Sequence, residues 1–352
     1  MLTPATFRAI VSGRQRGLAA SGIRTVLRLF SIPYRIIVSL RNHAFDRGWR
    51  AVHKVDVPVI SVGNLTLGGT GKTPFVAWIS KWLIQQGIKP AIVSRGYKQD
   101  REYRNDEARE LAEKIPDVPH VQNPDRVEAA QAAIKQHAAE AIVLDDGFQH
   151  RRLARDLDFV LIDSLEPFGF DYIFPRGTLR EALSSLRRAD AVALTRVDRI
   201  SKERLADLKR IIQSIAPKAT WVELVYRAAC LINRGGESVS LNELRDARVC
   251  GFCGIGNPEN FAGTLAGEAW RVQQCKEYPD HHHYTQGDCD WLSKFAADCD
   301  ATAVLCTHKD LVKVRSLWQS PIPLYAVIQE TDIQSGEAEL VSLLGKLFNA
   351  YR

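Results

Sequence analysis

Lys72 and Thr73 close a glycine-rich loop, Gly68-Gly69-Thr70-Gly71-Lys72-Thr73, which follows the apolar run Val59-Ile60-Ser61-Val62 and leads directly into a helical pattern. This is the layout of a phosphate-cradling P-loop. Glycines let backbone N–H groups turn toward a polyphosphate, and the helix N-terminus adds positive potential. In such a loop Lys72 reaches the β- and γ-phosphates of a nucleotide, and the Thr73 hydroxyl holds Mg²⁺. The loop is a variant: Thr66 stands where the usual pattern has its first glycine, and Gly63, Gly68 and Gly69 are additional. The expected nucleotide-contacting stretch is Thr66, Leu67, Gly68, Gly69, Thr70, Gly71, Lys72 and Thr73.

Three more polar clusters end apolar runs. Asp145-Asp146 follows Ile142-Val143-Leu144, Ser94-Arg95-Gly96-Tyr97 follows Ala91-Ile92-Val93, and Thr195-Arg196-Val197-Asp198 follows Val192-Ala193-Leu194. An acidic strand end completes the Mg²⁺ site of P-loop enzymes, and the alternative for Asp145-Asp146 is a loop-capping pair. Thr195 to Asp198 is faintly similar to a guanine-reading sequence but lacks its Asn-Lys start, so GTP specificity is not supported. Asp280-His281-His282-His283 reads either as an exposed loop or as a carboxylate orienting an imidazole that removes a proton from an attacking hydroxyl. All seven cysteines lie after residue 229, and Cys250-x-x-Cys253 has no second such pair. The odd number and missing partner argue for buried thiols over zinc or a disulfide framework, in a reducing compartment.

Apolar strands alternating with helical patterns imply an α/β fold whose parallel sheet is covered by helices on both faces. In such a sheet all four clusters share the carboxyl edge, where ligands bind. Phe75, Val76, Ile79, Trp82 and Leu83 form one face of the helix after the loop, and residues 127–140 read as an alanine-rich helix. Residues 175–181 read as a loop into a helix. The pattern restarts after about residue 225, so three parts are expected: an arm at 1–50, a P-loop domain at 51–228 and a smaller α/β domain at 229–352.

The net charge of +6 is uneven. Residues 1–54 carry ten Lys or Arg against Asp46 alone, a surplus of +9, which leaves the remaining chain at −3. No signal-peptide core precedes residue 20. From 21 to 40, Val26, Leu27, Leu29, Phe30, Ile32, Ile36, Ile37 and Val38 dominate, while Arg24, Arg28, Ser31, Arg35 and Ser39 recur as one helical stripe. The apolar stretch is too short to span a bilayer, and Pro33 is expected to kink or divide the helix. A basic amphipathic helix in an anionic membrane interface fits best; the alternative is a helix packed on the domain with a solvated arginine face. Nucleic-acid binding is disfavoured, because the arm has few aromatics for base stacking.

Taken together, these residues resemble the tetraacyldisaccharide 4'-kinase family. The resemblance rests on Ser61-Val62-Gly63-Asn64-Leu65-Thr66 with the Gly68 to Pro74 loop, Ser94 to Tyr97, and Asp145-Asp146-Gly147-Phe148-Gln149-His150-Arg151. Leu179-Arg180-Glu181, Arg188-Ala189-Asp190, Gly254-Ile255-Gly256-Asn257-Pro258 and Pro279-Asp280-His281-His282 carry it further. It implies ATP- and Mg²⁺-dependent phosphorylation of the 4'-hydroxyl of a tetraacylated glucosamine disaccharide 1-phosphate, yielding lipid IVA, at the cytoplasmic face of the bacterial inner membrane. It implies Asp106 and His281 as a proton-removing pair. Glu107, with Asp145 and Asp146, is assigned to the metal or nucleotide, and Arg95 and Tyr97 to the transferred phosphate or the sugar. Asn105 and Ala108 replace the family's usual residues flanking Asp106-Glu107. The rival class is a regulatory P-loop NTPase that drives assembly of a partner.

Overall fold

The computed structural model describes residues 4–96, 111–112, 114–280 and 282–351. The chain forms two compact units: residues 1–225 with 331–352, and residues 226–330. It crosses between them within two strands, β7 (Thr220–Asn233) and β12 (Leu324–Ser335). The expected boundary at 228/229 therefore lies at 225/226, and the last residues return to the first unit. Their helix α9 (Glu337–Tyr351) buries Leu340 and Leu344 in the same cluster as Phe75, Ile79 and Leu83.

Unit 1 is built on parallel strands in the order β7-β6-β5-β1-β4-β2-β3. These are β1 (Val59–Asn64), β2 (Pro90–Ser94), β3 (His120–Gln122), β4 (Ala141–Asp145), β5 (Leu157–Asp163), β6 (Ala191–Thr195) and the start of β7. Every residue of β1, β2, β4, β5 and β6 is buried, as strands covered on both faces require. One face is covered by α3 (Lys72–Gln85) and α9, through Phe75, Val76 and Ile79 on Ile60, Val143 and Phe159. On α4 (Arg126–His137), small Ala129, Ala130 and Ala133 pack against Val93 and Ile142, and on α5 (Lys202–Ile215) Leu208 and Ile212 join Val160 and Val192. The helix expected after residues 175–181 is only a 3₁₀ turn, Leu183–Arg188. Strand order reverses beside β1, because β2 lies beyond β4 on one side and β5 on the other. Such a switch point opens a crevice at the carboxyl ends of the strands.

Two helices precede β1: α1 (Pro4–Val11) and α2 (Leu18–Asp46). Helix α2 runs unbroken through Pro33, against the expectation of division. A proline inside a helix deletes one N–H bond, and this helix is tied to the body on both sides of it. Ser31 Oγ donates to the Ile173 carbonyl at 3.0 Å and accepts from Arg176 N–H at 3.0 Å, and Tyr34 Oη donates to the Arg180 carbonyl at 3.3 Å. Asn42 Nδ2 donates to Glu181 at 2.6 Å. The polar side thus meets the protein, while Leu29, Phe30, Ile36, Ile37 and Leu40 are 53–66% exposed. Among the described residues, no helix is long and apolar enough to cross a membrane.

Unit 2 carries parallel strands in the order β10-β9-β11-β12: β10 (Arg271–Glu277), β9 (Arg248–Cys253), β11 (Ala303–Thr307) and β12. The hairpin strand β8 (Ser238–Val239) pairs antiparallel with the end of β7. Helices α6 (Pro258–Ala266), α7 (Gln286–Asp298) and α8 (His308–Val314) follow β9, β10 and β11. Burial pushes the Cys250 and Cys306 thiols up. All seven cysteines are free, and among the described residues no group of three ligand-type side chains can hold a metal.

Candidate active site at the carboxyl edge of unit 1

The glycine-rich loop leaves β1 at Asn64 and enters α3 at Lys72. Leu67 N–H donates to the Thr178 carbonyl and Arg180 N–H to the Leu65 carbonyl, each at 2.7 Å. Buried Asn64 donates from Nδ2 to the carbonyls of Thr66 at 2.9 Å and Gly68 at 3.4 Å. Of the eight expected loop residues, Leu67 therefore has its amide committed to Thr178, while Thr66 and Thr70 are buried. Gly63, unexplained by the P-loop pattern, has a packing reason: a Cβ there would lie 2.5 Å from the Phe148 Cβ. That close approach seats the Asp145 to Phe148 turn against the start of the loop.

Lys72 and Arg180 converge on one carboxylate. Lys72 Nζ lies 3.4 Å from Asp146 Oδ1, and Arg180 Nη1 donates to the same oxygen at 2.7 Å. Burial acts to raise the Asp146 pKa, but Lys72 and Arg180 outweigh it and hold the carboxyl well below the usual carboxylate range. Asp146 has φ 53, a left-handed conformation uncommon for non-glycine residues and frequent at functional sites. Asp145 is buried at the end of β4, in register with Val62 of β1. Thr73 follows Lys72 in the first turn of α3, and Arg95 follows β2, exposed.

Several members of this cluster were not singled out from sequence. Arg126 begins α4, is buried, and donates from Nη1 to the Pro124 carbonyl at 2.9 Å. Its Nε has no partner among the described residues. Burial and then Arg95 lower the Arg126 pKa, while Asp146 and Asp145 act to raise it, so its charge lies within reach of both acids. Gln149 Nε2 donates to the Asn64 carbonyl at 2.9 Å. Burial, then Arg126, depresses His150 to about 4, which leaves it neutral near pH 7. In the structure Asp125 caps the helix that Arg126 begins, accepting from Val127 N–H at 3.0 Å, and Arg180 lies in the Leu179-Arg180-Glu181 family motif; neither feature announces a contact across the sheet edge.

Tyr97, Asp106, Glu107 and His281 lie outside the described residues. In unit 2, Asp280 Oδ1 lies 3.9 Å from Lys309 Nζ. His282 stacks on Tyr278 at 4.6 Å and meets Asp288 at 3.4 Å, which also caps α7, so its place is structural. Buried Asp310 accepts from Gly254 N–H at 3.1 Å, Tyr284 Oη at 3.0 Å and Thr307 Oγ1 at 2.6 Å. That carboxylate braces the Gly254-Ile255-Gly256 turn against the segment following Asp280.

A sequence profile described as tetraacyldisaccharide-1-P 4'-kinase matches residues 23–349. A tetraacyldisaccharide 4'-kinase of Anaeromyxobacter dehalogenans is 36% identical over 305 residues, covering 82% of this chain and 80% of the relative. One from Desulfotalea psychrophila is 35% identical over 336 residues, covering 89% and 96%. The crystal structure of LpxK from Aquifex aeolicus in complex with ATP superposes with a TM-score of 0.72 at 29% identity, covering 93% of this chain and 99% of that one. With a nucleotide loop, an acidic strand end and their cations assembled on one sheet edge, the chain belongs to the tetraacyldisaccharide 4'-kinase family.

Proposed function

We infer that the chain transfers the γ-phosphoryl group of ATP to the 4'-hydroxyl of a tetraacylated glucosamine disaccharide 1-phosphate, giving lipid IVA. The observation that carries this reading is the meeting of Lys72, Arg180 and Asp146 at the mouth of the Thr66–Thr73 loop, in a chain of this family. Phosphoryl transfer needs positioning and charge stabilisation more than covalent chemistry. Lys72, Arg180, Arg126 and Arg95 supply four cations along one edge. Asp146, kept ionised, holds Lys72 and Arg180 until phosphate oxygens compete for them.

Thr73, Asp145 and Asp146, with Glu107, are oxygen donors of the kind Mg²⁺ takes, and the first three belong to the loop helix and the adjoining strand end. Mg²⁺ held by these residues would supply charge neutralisation to the nucleotide phosphates. Asp106 with His281 takes the proton of the 4'-hydroxyl as its oxygen attacks the γ-phosphorus and the bond to the β-phosphate oxygen breaks, releasing ADP. Tyr97 and Arg95 serve the sugar or the transferred group.

The outward apolar row of α2 and the +9 surplus of residues 1–54 support docking on an anionic membrane at the cytoplasmic face of the bacterial inner membrane. The acyl chains of the substrate then stay in the bilayer while the sugar reaches the crevice. The test is incubation with ATP, Mg²⁺ and the disaccharide 1-phosphate in detergent, which yields a lipid bisphosphate and ADP in equal amounts. ATP hydrolysis without phosphorylated lipid would return the chain to the regulatory NTPase class.

A further inference from the structure

We propose that Arg196 is a positioning residue of the phosphate loop, a cation that clamps the Gly69 peptide in place from the end of β6. The inference rests on reading residues 66–73 as the ATP loop. Arg196 follows the last residue of β6 and holds φ 59, ψ 38, the left-handed region that residues with a side chain rarely adopt. Its side chain is 10% exposed. Nη1 donates to Asp163 Oδ2 at 2.7 Å, and Nη2 donates to the Gly69 carbonyl at 3.2 Å. Asp163 ends β5, in register with Thr195, and its other oxygen accepts Leu165 N–H at 3.1 Å. The Arg196 carbonyl accepts from Ser164 Oγ at 2.8 Å. The guanidinium thus spans from the β5 end to the loop leaving β1, while its own carbonyl is held by Ser164 Oγ and by the Arg199 N–H at 3.1 Å.

Peptide planarity gives this contact a direction. The Gly69 carbonyl and the Thr70 N–H lie on opposite edges of one plane. Holding the carbonyl toward the β5–β6 side turns the Thr70 amide the other way, and the Asn64 bond to the Gly68 carbonyl does the same for the Gly69 amide. Glycines leave these planes free to rotate, so a cradle that must aim amides at phosphate gains from fixing them before ATP arrives. Arginine suits the task because its rigid fork serves two acceptors at once, which a single ammonium does not. The role also accounts for the Thr195-Arg196-Val197-Asp198 segment, which resembles a base-reading sequence without its full pattern.

The test is ATP affinity of the full chain in detergent, by calorimetric titration, for R196A, R196K and K72A. For R196A the expected result is an ATP Kd raised at least tenfold while the KM for the disaccharide stays within twofold; R196K recovers part of the loss. Faster hydrogen exchange across 68–71 without ATP accompanies it. A folded R196A that binds ATP within twofold of the parent, while K72A binds weakly, overturns the clamp alone. If K72A binds ATP as the parent does, the ATP-loop reading falls and the clamp with it. Should R196A fail to fold, R196K decides: a Kd raised threefold or more supports the clamp, and an unchanged Kd overturns it.

Discussion

Helices α2 and α3 both carry amphipathic sequences, yet they hide opposite faces. On α3, Phe75, Val76, Ile79 and Leu83 are fully buried against the sheet. On α2 the hydroxyls of Ser31 and Tyr34 and the amide of Asn42 bond to the 173–181 segment, while the apolar row points away from it. Periodicity defines two faces of a helix but does not say which one meets the protein. Where a large apolar surface stays outside, a membrane or partner is implied. The same 173–181 segment supplies Arg180 to Asp146 and pairs with the loop at Leu67, so the outward helix is tied directly to the site.

Substitutions on the two helices sharpen this contrast. The largest effect belongs to the head of α3: Lys72→Ala should lower kcat by at least about 10²–10³-fold, the range for losing one transition-state cation or donor, read as lipid IVA formed per minute. Next, Phe75→Ala on α3 should cost about 3–5 kcal/mol in unfolding free energy, whereas Phe30→Ala on α2 should change it by less than about 0.5 kcal/mol. Equal losses at both positions, by denaturant titration, would erase the distinction. Ile36→Ser with Ile37→Ser should weaken co-sedimentation with phosphatidylglycerol vesicles by about tenfold or more, given the apolar area withdrawn, and leave the melting temperature unchanged. Undiminished sedimentation would mean that α2 faces something other than lipid.

The smallest effect concerns acid. The Asp146 carboxyl is depressed in the folded chain, so its contribution is fully present above the unfolded carboxylate value of about 3.9 and is lost as pH falls from there toward the folded value. Asp146→Asn should therefore flatten the fall in melting temperature below about pH 4. A curve parallel to that of the parent protein would remove the Lys72–Asp146–Arg180 contact from the stability of the fold.

Local chemistry was legible from the chain alone. The strand, glycine loop and helix from Val59 to Gln85 lie within one continuous stretch, and each step has a short-range cause: β-branched residues, backbone freedom at Gly68 and Gly71, then an apolar helical face. The acidic end of β4 was equally plain, because an apolar run stopping at two aspartates needs no distant partner to be noticed. Arg126, Arg180 and Arg196 were not legible as the cations that make these contacts, although the Thr195 to Asp198 cluster already reads as lying on the ligand edge. They stand 54, 108 and 124 positions beyond Lys72 in a chain with 47 lysines and arginines, and only the order of strands brings them to one edge. Nor could periodicity predict that residues 331–352 rejoin the first unit, since an apolar helix face is silent about which sheet it will cover. Sequence by itself determined a nucleotide loop, an acidic strand end and an amphipathic arm, because those depend on neighbours. Tertiary structure decided which cations hold Asp146 and Gly69 and which way α2 faces, because long-range contacts are chosen by packing and by the pairing of buried charge.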